Sequence, residues 1–458
     1  MSGVDKPAGV VHGWGMNRRA VSCLCLGLTF GALALPHAAI GTDEVFGLRF
    51  VFGPGPAGEG TVRVGAADPY TDERGFGLEP GASVEDEGGC ITASPGFAFS
   101  VAVPEGNYDV TVVLGSERSA GDTTVKAESR RLMAEGLVTA PGKEARASFT
   151  VNVRRPAIDG KQSVRINKRE SGPPLARHWD GKLTLEFCGL HPCLRGIEIR
   201  RNERALTVFI AGDSTVTDQT DEPWAGWGQM LPRFLKPGVA VANHAESGLS
   251  LRSFKAQKRL DKMLASLRPG DFVLVQFGHN DQKDKTPGAG PFTTYKSNLK
   301  DFVARVRAGG GKPVLVAPMD RRRFGPDGRA QPTLAEYAEA VRQVGNEESL
   351  PVIDLNRMSL AFHTALGPEV SKRAFVHYPM GTFPGQKEEL KDDTHHNAYG
   401  AYELAKCVVE GIKAGVPGLR EQLADGLPPF DPTRPDPPDG FKLAASPFRK
   451  MAPKPAGN

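Results

Sequence analysis

The chain has 458 residues, 57 Lys and Arg against 53 Asp and Glu, a net charge of +4, and 40% hydrophobic residues. That length exceeds one ordinary core and predicts two domains with tails, while the absence of repeats or heptads sets aside solenoids and coiled coils. The mild basic excess demands no nucleic acid and suits an anionic polymer.

In chain order, the first feature is a targeting pattern. Met16 opens "MNRRAVSCLCLGLTFGALALPHAAIG", in which Arg18 and Arg19 precede an apolar run from Ala20 to Leu35 and then small residues at Ala39-Ile40-Gly41. This is the order of a secretory signal, so residues 1–41 are expected to be a signal region and the product to be secreted or periplasmic. A membrane anchor competes, but the run is short for a spanning helix and no basic flank follows it. After signal removal, no membrane contact is expected. Cys23 and Cys25 fall within this signal. In an exported protein Cys188 and Cys193 of "CGLHPC" could close a small loop. Cys407 reads as a buried free thiol.

Residues 42–202 read as all-β. Runs such as "FAFSVAVPEGNYDVTVVLG" and "ARASFTVNV" alternate apolar and polar residues between Gly, Pro, Asn and Asp turns, the pattern of a β-sandwich. His178, Trp179 and Asp180 in "HWDGK" could touch a ligand or form a strand-edge turn.

Over residues 203–427 the rhythm changes to strand, loop, helix. "ALTVFIA", "VAVAN", "FVLVQFG", "PVLVAPM" and "LPVIDLN" are nearly continuous apolar runs, which suit parallel strands buried on both faces. Helices are expected near residues 227–235, 251–267, 295–308 and 334–348. In the last helix Ala401, Leu404, Ala405, Val408 and Ile412 share one face. A three-layer α/β domain follows, with ligands bound beyond the carboxyl ends of the strands. Residues 428–458 form a proline-rich tail, extended and without its own core.

Four strand-end loops carry polar residues. "AGDSTVTD" places Ser214 directly after the first strand; a serine hydroxyl needs a general base and an anion-stabilising site to act as a nucleophile. "NHAESG" places Gly248 after the second, where a missing Cβ lets a backbone N–H approach a ligand. "GHND" follows the third, with Asn280 able to offer an amide donor. "LKDDTHHNAYG" lies in a loop before the last helix and supplies carboxylate and imidazole three residues apart, twice over. Each motif alone is also an ordinary turn; their order and position are the specific signal. A chelating nest is the other reading of the doubled cluster, although adjacent side chains in a loop tend to point apart.

With these residues in view, the chain resembles the SGNH (GDSL-type) hydrolases. "FIAGDSTVTD", "SGLSLRSF", "FGHNDQKD" and "DDTHHNAYGAYELAK" are similar to rhamnogalacturonan acetylesterases of carbohydrate esterase family 12, over roughly residues 206–417. The resemblance implies a three-layer α/β/α domain on a flavodoxin-like parallel sheet. The preceding sandwich is more loosely similar to galactose-binding-like modules. The resemblance further implies Ser214 as nucleophile, His395 as base and Asp392 as its orienting acid. Ser214 and Gly248 would supply backbone N–H groups, and Asn280 its side chain, to an oxyanion hole. No metal or organic cofactor is implied, and the expected substrate is an acetylated, pectic polysaccharide. The family frame has Asn two residues and Gly five residues beyond the histidine; counting from His395 meets Asn397 and Gly400, whereas counting from His396 meets Ala398 and Ala401. At His396 the family more often has an aromatic residue.

Arg252, Arg321, Arg322 and Arg323 fall on the same expected rim. Arg252, Arg322 and His396 are candidates for contact with polymer carboxylates, against a plain solvated basic loop. Two other functions remain open here: an acetyl esterase for another polysaccharide such as xylan, and a non-catalytic carbohydrate-binding protein.

Overall fold

A computed structural model of the protein describes residues 47–171 and 175–448. The expected signal region lies outside the described residues. Among the described residues, no helix is long and apolar enough to cross a membrane.

Five parallel strands carry the second half: Leu206–Gly212, Val239–Asn243, Phe272–Gln276, Lys312–Val316 and Val352–Ile353. Numbered by their sequence, they lie in the order 2-1-3-4-5. The chain reverses its direction of travel at the first strand, and the crevice beyond its carboxyl end is where such sheets bind ligands. Alternate residues of these strands enter opposite cores. Val208, Ile210 and Leu274 pack with the helix Ala398–Gly415, while Phe209, Val273 and Val275 pack against the helices Lys296–Ala308 and Ala335–Glu347. Near-continuous apolar runs are what two covered faces require.

The first half is all-β. Its inner sheet is antiparallel, with Lys182–His191 flanked by Gly96–Ala102 and Gly121–Ala127, and with Arg131–Thr139 at one edge. The facing strands Gly106–Leu114, Ala145–Val153, Cys193–Arg201 and Gly47–Phe52 close a core around Phe97, Phe99, Phe187 and Ile197. Strand Ala145–Val153 also pairs in parallel with Val239–Asn243, through Thr150 opposite Ala240 and Val151 opposite Val241. One continuous twelve-stranded sheet therefore runs through both halves.

Several expectations change. Cys188 and Cys193 are free buried thiols, not a closed loop. The turn between them passes the chain from one sheet to the other, so the two thiols belong to different layers; Cys193 Sγ reaches the His191 carbonyl at 3.5 Å instead. The expected helix at 251–267 is two helices, Leu251–Ala256 and Arg259–Ser266, broken where Lys258 takes φ +61°. A helix not anticipated, Leu355–Val370, follows a fifth strand of only two residues. The tail up to residue 448 carries one short turn, Pro438–Gly440, and no strand. It is fastened to both halves: Tyr399 Oη donates to the Asp436 carbonyl (2.6 Å), and Lys126 Nζ to the Ala444 carbonyl (2.7 Å).

Candidate active site

The stretch expected as a loop, residues 390–396, is a strand, Leu390–His396, paired antiparallel with Phe375–Tyr378. The pairing is broken by a bulge: Phe375 faces His396, but the next residue, Val376, faces Asp392. Residues 393–395 are extruded between these two pairs, which re-aims side chains as bulges do. Asp392 then folds back on its own bulge, its Oδ1 accepting from the N–H of Thr394 (3.0 Å) and of His395 (3.1 Å). Asn397 caps the helix that follows, its Oδ1 accepting from the Gly400 N–H at 3.1 Å.

The structure brings Ser214, His395 and Asp392 together. His395 Nε2 lies 2.8 Å from Ser214 Oγ, and Nδ1 lies 2.8 Å from Asp392 Oδ2. All three are buried, with at most 2% of their surface exposed. Burial opposes charge on Asp392, but His395 and the two backbone donors outweigh it and hold the carboxyl well below the usual carboxylate range. A charged carboxylate there fixes His395 with Nδ1 as donor and leaves Nε2 facing the serine as acceptor.

The expected anion-binding groups lie in the neighbouring strand-end loops. Gly248 takes φ +82°, a left-handed conformation that glycine adopts without strain. Asn280 is oriented by donating one amide hydrogen to the Leu249 carbonyl at 3.0 Å.

The neighbouring doubled residues point elsewhere. His396 is buried, tilted against Phe375 with centroids 4.1 Å apart, and its Nε2 meets His363 Nε2 at 3.4 Å. Burial pushes His396 well below the ordinary imidazole range and His363 down to about 3, so both are neutral. His396 is therefore a core residue, not a rim contact. Asp393 turns outward and pairs with Arg322 Nη1 (3.0 Å) and His377 Nε2 (2.8 Å). Arg322 is committed as well. Its Nε donates to Ser371 Oγ, its Nη2 to the Pro368 carbonyl, and its side chain is only 13% exposed. This corrects its assignment as a free substrate contact. Arg252 remains 68% exposed beside Asp284, at the edge of a small groove of about 100 Å³. A larger groove, about 620 Å³, is lined by Gln282, Lys285, Pro332, Glu336 and Tyr337, starting two residues beyond Asn280. Among the described residues, no cluster of three or more His, Cys, Asp or Glu is placed to hold a metal ion.

Residues 210–401 match the GDSL-like lipase/acylhydrolase family. The rhamnogalacturonan acetylesterase RhgT of Bacillus subtilis is 41% identical over 224 residues, 48% of this chain and 95% of that protein. The chain belongs to the GDSL-like lipase/acylhydrolase family. A second B. subtilis relative, described as the uncharacterized esterase YxiM, is 27% identical over 87% of this chain and 98% of its own length. The crystal structure of B. subtilis YxiM covers 81% of this chain and 98% of its own, with 25% identity and a TM-score of 0.43.

In this member of the family several buried groups that were given no role from the sequence surround these residues. Asp213, beside the serine, accepts from the Thr215 N–H (3.0 Å) and hydroxyl (2.8 Å) and faces His279 Nδ1 at 3.4 Å. Burial resists its charge, yet His279 and these two donors bring its pKa below the usual value. Thr215 Oγ1 also accepts from Gln276 Nε2 at 2.8 Å, and Gln276 Oε1 from Trp227 Nε1 at 2.9 Å. Trp224 Nε1 reaches Asp392 Oδ2 at 3.4 Å, and Gln219 Nε2 donates to the Ser214 carbonyl at 2.7 Å. The only sequence signal for any of these was membership of the same short motifs: Asp213 in "GDST" and His279 in "GHND". Trp179 is buried, its ring under the Arg154 guanidinium at 4.6 Å, so "HWDGK" is a packed turn.

Proposed function

We propose that the protein is a serine acetylesterase that removes O-acetyl groups from a polysaccharide, with acetylated rhamnogalacturonan as the substrate. The observation that carries this reading is the relay from Ser214 to His395 to Asp392, with both contacts at 2.8 Å. Identity to a rhamnogalacturonan acetylesterase over the same half of the chain supports the choice of polymer.

In this reading Ser214 Oγ attacks the acetyl carbonyl carbon as His395 Nε2 takes its proton. The carbonyl oxygen becomes an oxyanion that accepts from the backbone N–H groups of Ser214 and Gly248 and from Asn280 Nδ2. Each such donor contributes about 2.7–4 kcal/mol in the transition state. Collapse breaks the bond to the sugar oxygen, which leaves with the proton from His395. Water, deprotonated by the same imidazole, then attacks the acetyl-enzyme and releases acetate. Arg252 and the two grooves beside the Asn280 turn would hold the polymer; the sandwich would be galactose-binding-like, and residues 1–41 would direct export.

Acetate release from acetylated rhamnogalacturonan and from acetylated xylan, with Ser214→Ala as control, tests this. Release from the pectic polymer alone, abolished in Ser214→Ala, is the expected result. Preference for xylan would reassign the substrate, and equal turnover by Ser214→Ala would refute the mechanism.

A further inference from the structure

The segment between Ser214 and the helix at Trp227 is gripped from the β-sandwich. Strands Gly121–Ala127 and Arg131–Thr139 are joined by a tight turn whose tip enters the second half. Two non-glycine residues of the turn are left-handed, Glu128 at φ +56° and Arg130 at φ +61°. Such conformations persist only where surroundings over-determine them. Here they do: the Glu128 N–H donates to the Thr184 carbonyl at 2.8 Å, and Gln229 Nε2 to the Ser129 carbonyl at 2.8 Å.

Arg130 is 5% exposed. Its Nη1 donates to two backbone carbonyls, of Gln219 and Trp224, each at 3.1 Å. Its Nη2 lies 3.6 Å from Glu222. One nitrogen with two hydrogens thus ties down both ends of the span 219–224. Those two residues are the ones whose side chains reach the site: Gln219 to the Ser214 carbonyl at 2.7 Å, Trp224 to the Asp392 carboxylate at 3.4 Å. Next to it, Arg131 Nε pairs with Asp218 Oδ2 at 3.0 Å.

We propose that Arg130 is a positioning residue for hydrolysis, a clamp from the β-sandwich that sets the Ser214 carbonyl and the Asp392 carboxylate through Gln219 and Trp224. It rests on Ser214 being the nucleophile. The clamp touches no substrate, so its loss lowers turnover and leaves the binding of a small ester alone.

The test measures 4-nitrophenyl acetate hydrolysis and the rate at which a small fluorophosphonate labels Ser214, well below each variant's melting temperature. Arg130→Ala is expected to lose about 10- to 100-fold in both kcat and labelling rate, as a small misplacement of reacting groups does. KM should stay within about threefold, the mark of an effect on the chemical step rather than on binding. Arg130→Lys, whose ammonium lacks the guanidinium fork, should lose part of the rate, and added guanidinium ion should restore part of it to Arg130→Ala but not to the wild type. Glu135→Gln is the control: Glu135 joins the same two halves through Arg233 (3.1 Å) and Tyr402 (2.6 Å), away from the serine, and its loss should lower melting without changing either rate. Wild-type rates in folded Arg130→Ala, or in Arg130→Lys where alanine impairs folding, would overturn the clamp. A wild-type Ser214 inert to both ester and fluorophosphonate would instead overturn the nucleophile assignment.

Discussion

At the scale of single residues, two adjacent Asp and two adjacent His have been sorted into different roles by one bulge. Asp392 and His395 face Ser214; His396 is packed in the core and Asp393 serves an ion pair. Asp392→Asn should keep the shape but remove the charge that fixes the imidazole tautomer, and kcat for acetyl ester hydrolysis should fall about 10⁴-fold. His396→Ala should instead cost about 3 kcal/mol of stability in denaturant titrations, the price of a buried ring, while kcat falls far less than in His395→Ala. Asp281 offers a pH signature. Burial pushes it up to about 7, with Oδ1 accepting from the Leu251 N–H at 3.0 Å. A raised carboxyl pKa gives stability that is present below the unfolded value near 4 and is lost as pH rises through 7. Melting curves should therefore show Asp281→Asn gaining on the wild type between about pH 4 and pH 7, the window set by those two values; parallel curves across it would refute this. The frame of Asp392, His395, Asn397 and Gly400 was legible through the family resemblance, whose spacing falls within one short stretch of sequence. Asp213 with His279, and Arg322 with Asp393, were not, because each pair spans loops that only the fold brings together.

At the scale of elements, the parallel strands and the last helix could be read from apolar runs and period. The hairpin of Phe375–Tyr378 with Leu390–His396 could not: its return strand is rich in charge, and its register is set by the bulge rather than by alternation. The helix Leu355–Val370 was concealed because "LPVIDLN" reads as one apolar run, whereas Asp354 ends the strand and caps the helix by accepting from the Arg357 N–H at 3.2 Å. Asn397 works harder than a cap. Its Nδ2 also donates to the Arg373 carbonyl (2.8 Å) and the Phe375 carbonyl (3.1 Å), and so ties the helix to the hairpin that holds His395. Asn397→Ala should cost more than the roughly 1 kcal/mol of a simple cap, read from the denaturant midpoint. At Gly400 an added Cβ would lie 2.1 Å from the Ala374 carbonyl oxygen, so the helix start is pressed against that hairpin.

At the scale of the whole molecule, composition and rhythm separated two halves but gave no sign that one sheet joins them. Pairing across the seam involves few residues, and the arginines that cross it look in sequence like any surface charge. Strand Val239–Asn243 would be an apolar edge without its neighbour Ala145–Val153. Residues 203–448 expressed alone are therefore expected to aggregate, as exposed apolar edges do, and light scattering against the longer chain checks this. The turn at Arg130 also has a place in time. All the sandwich strands are complete by Arg201, before Ser214 is made, and the bulge with His395 comes last. At about 5–20 residues per second, the ribosome releases the grip seconds before the loop it will hold. In chain order, then, the turn that grips the loop after Ser214 precedes that loop, and the strand that carries His395 follows both.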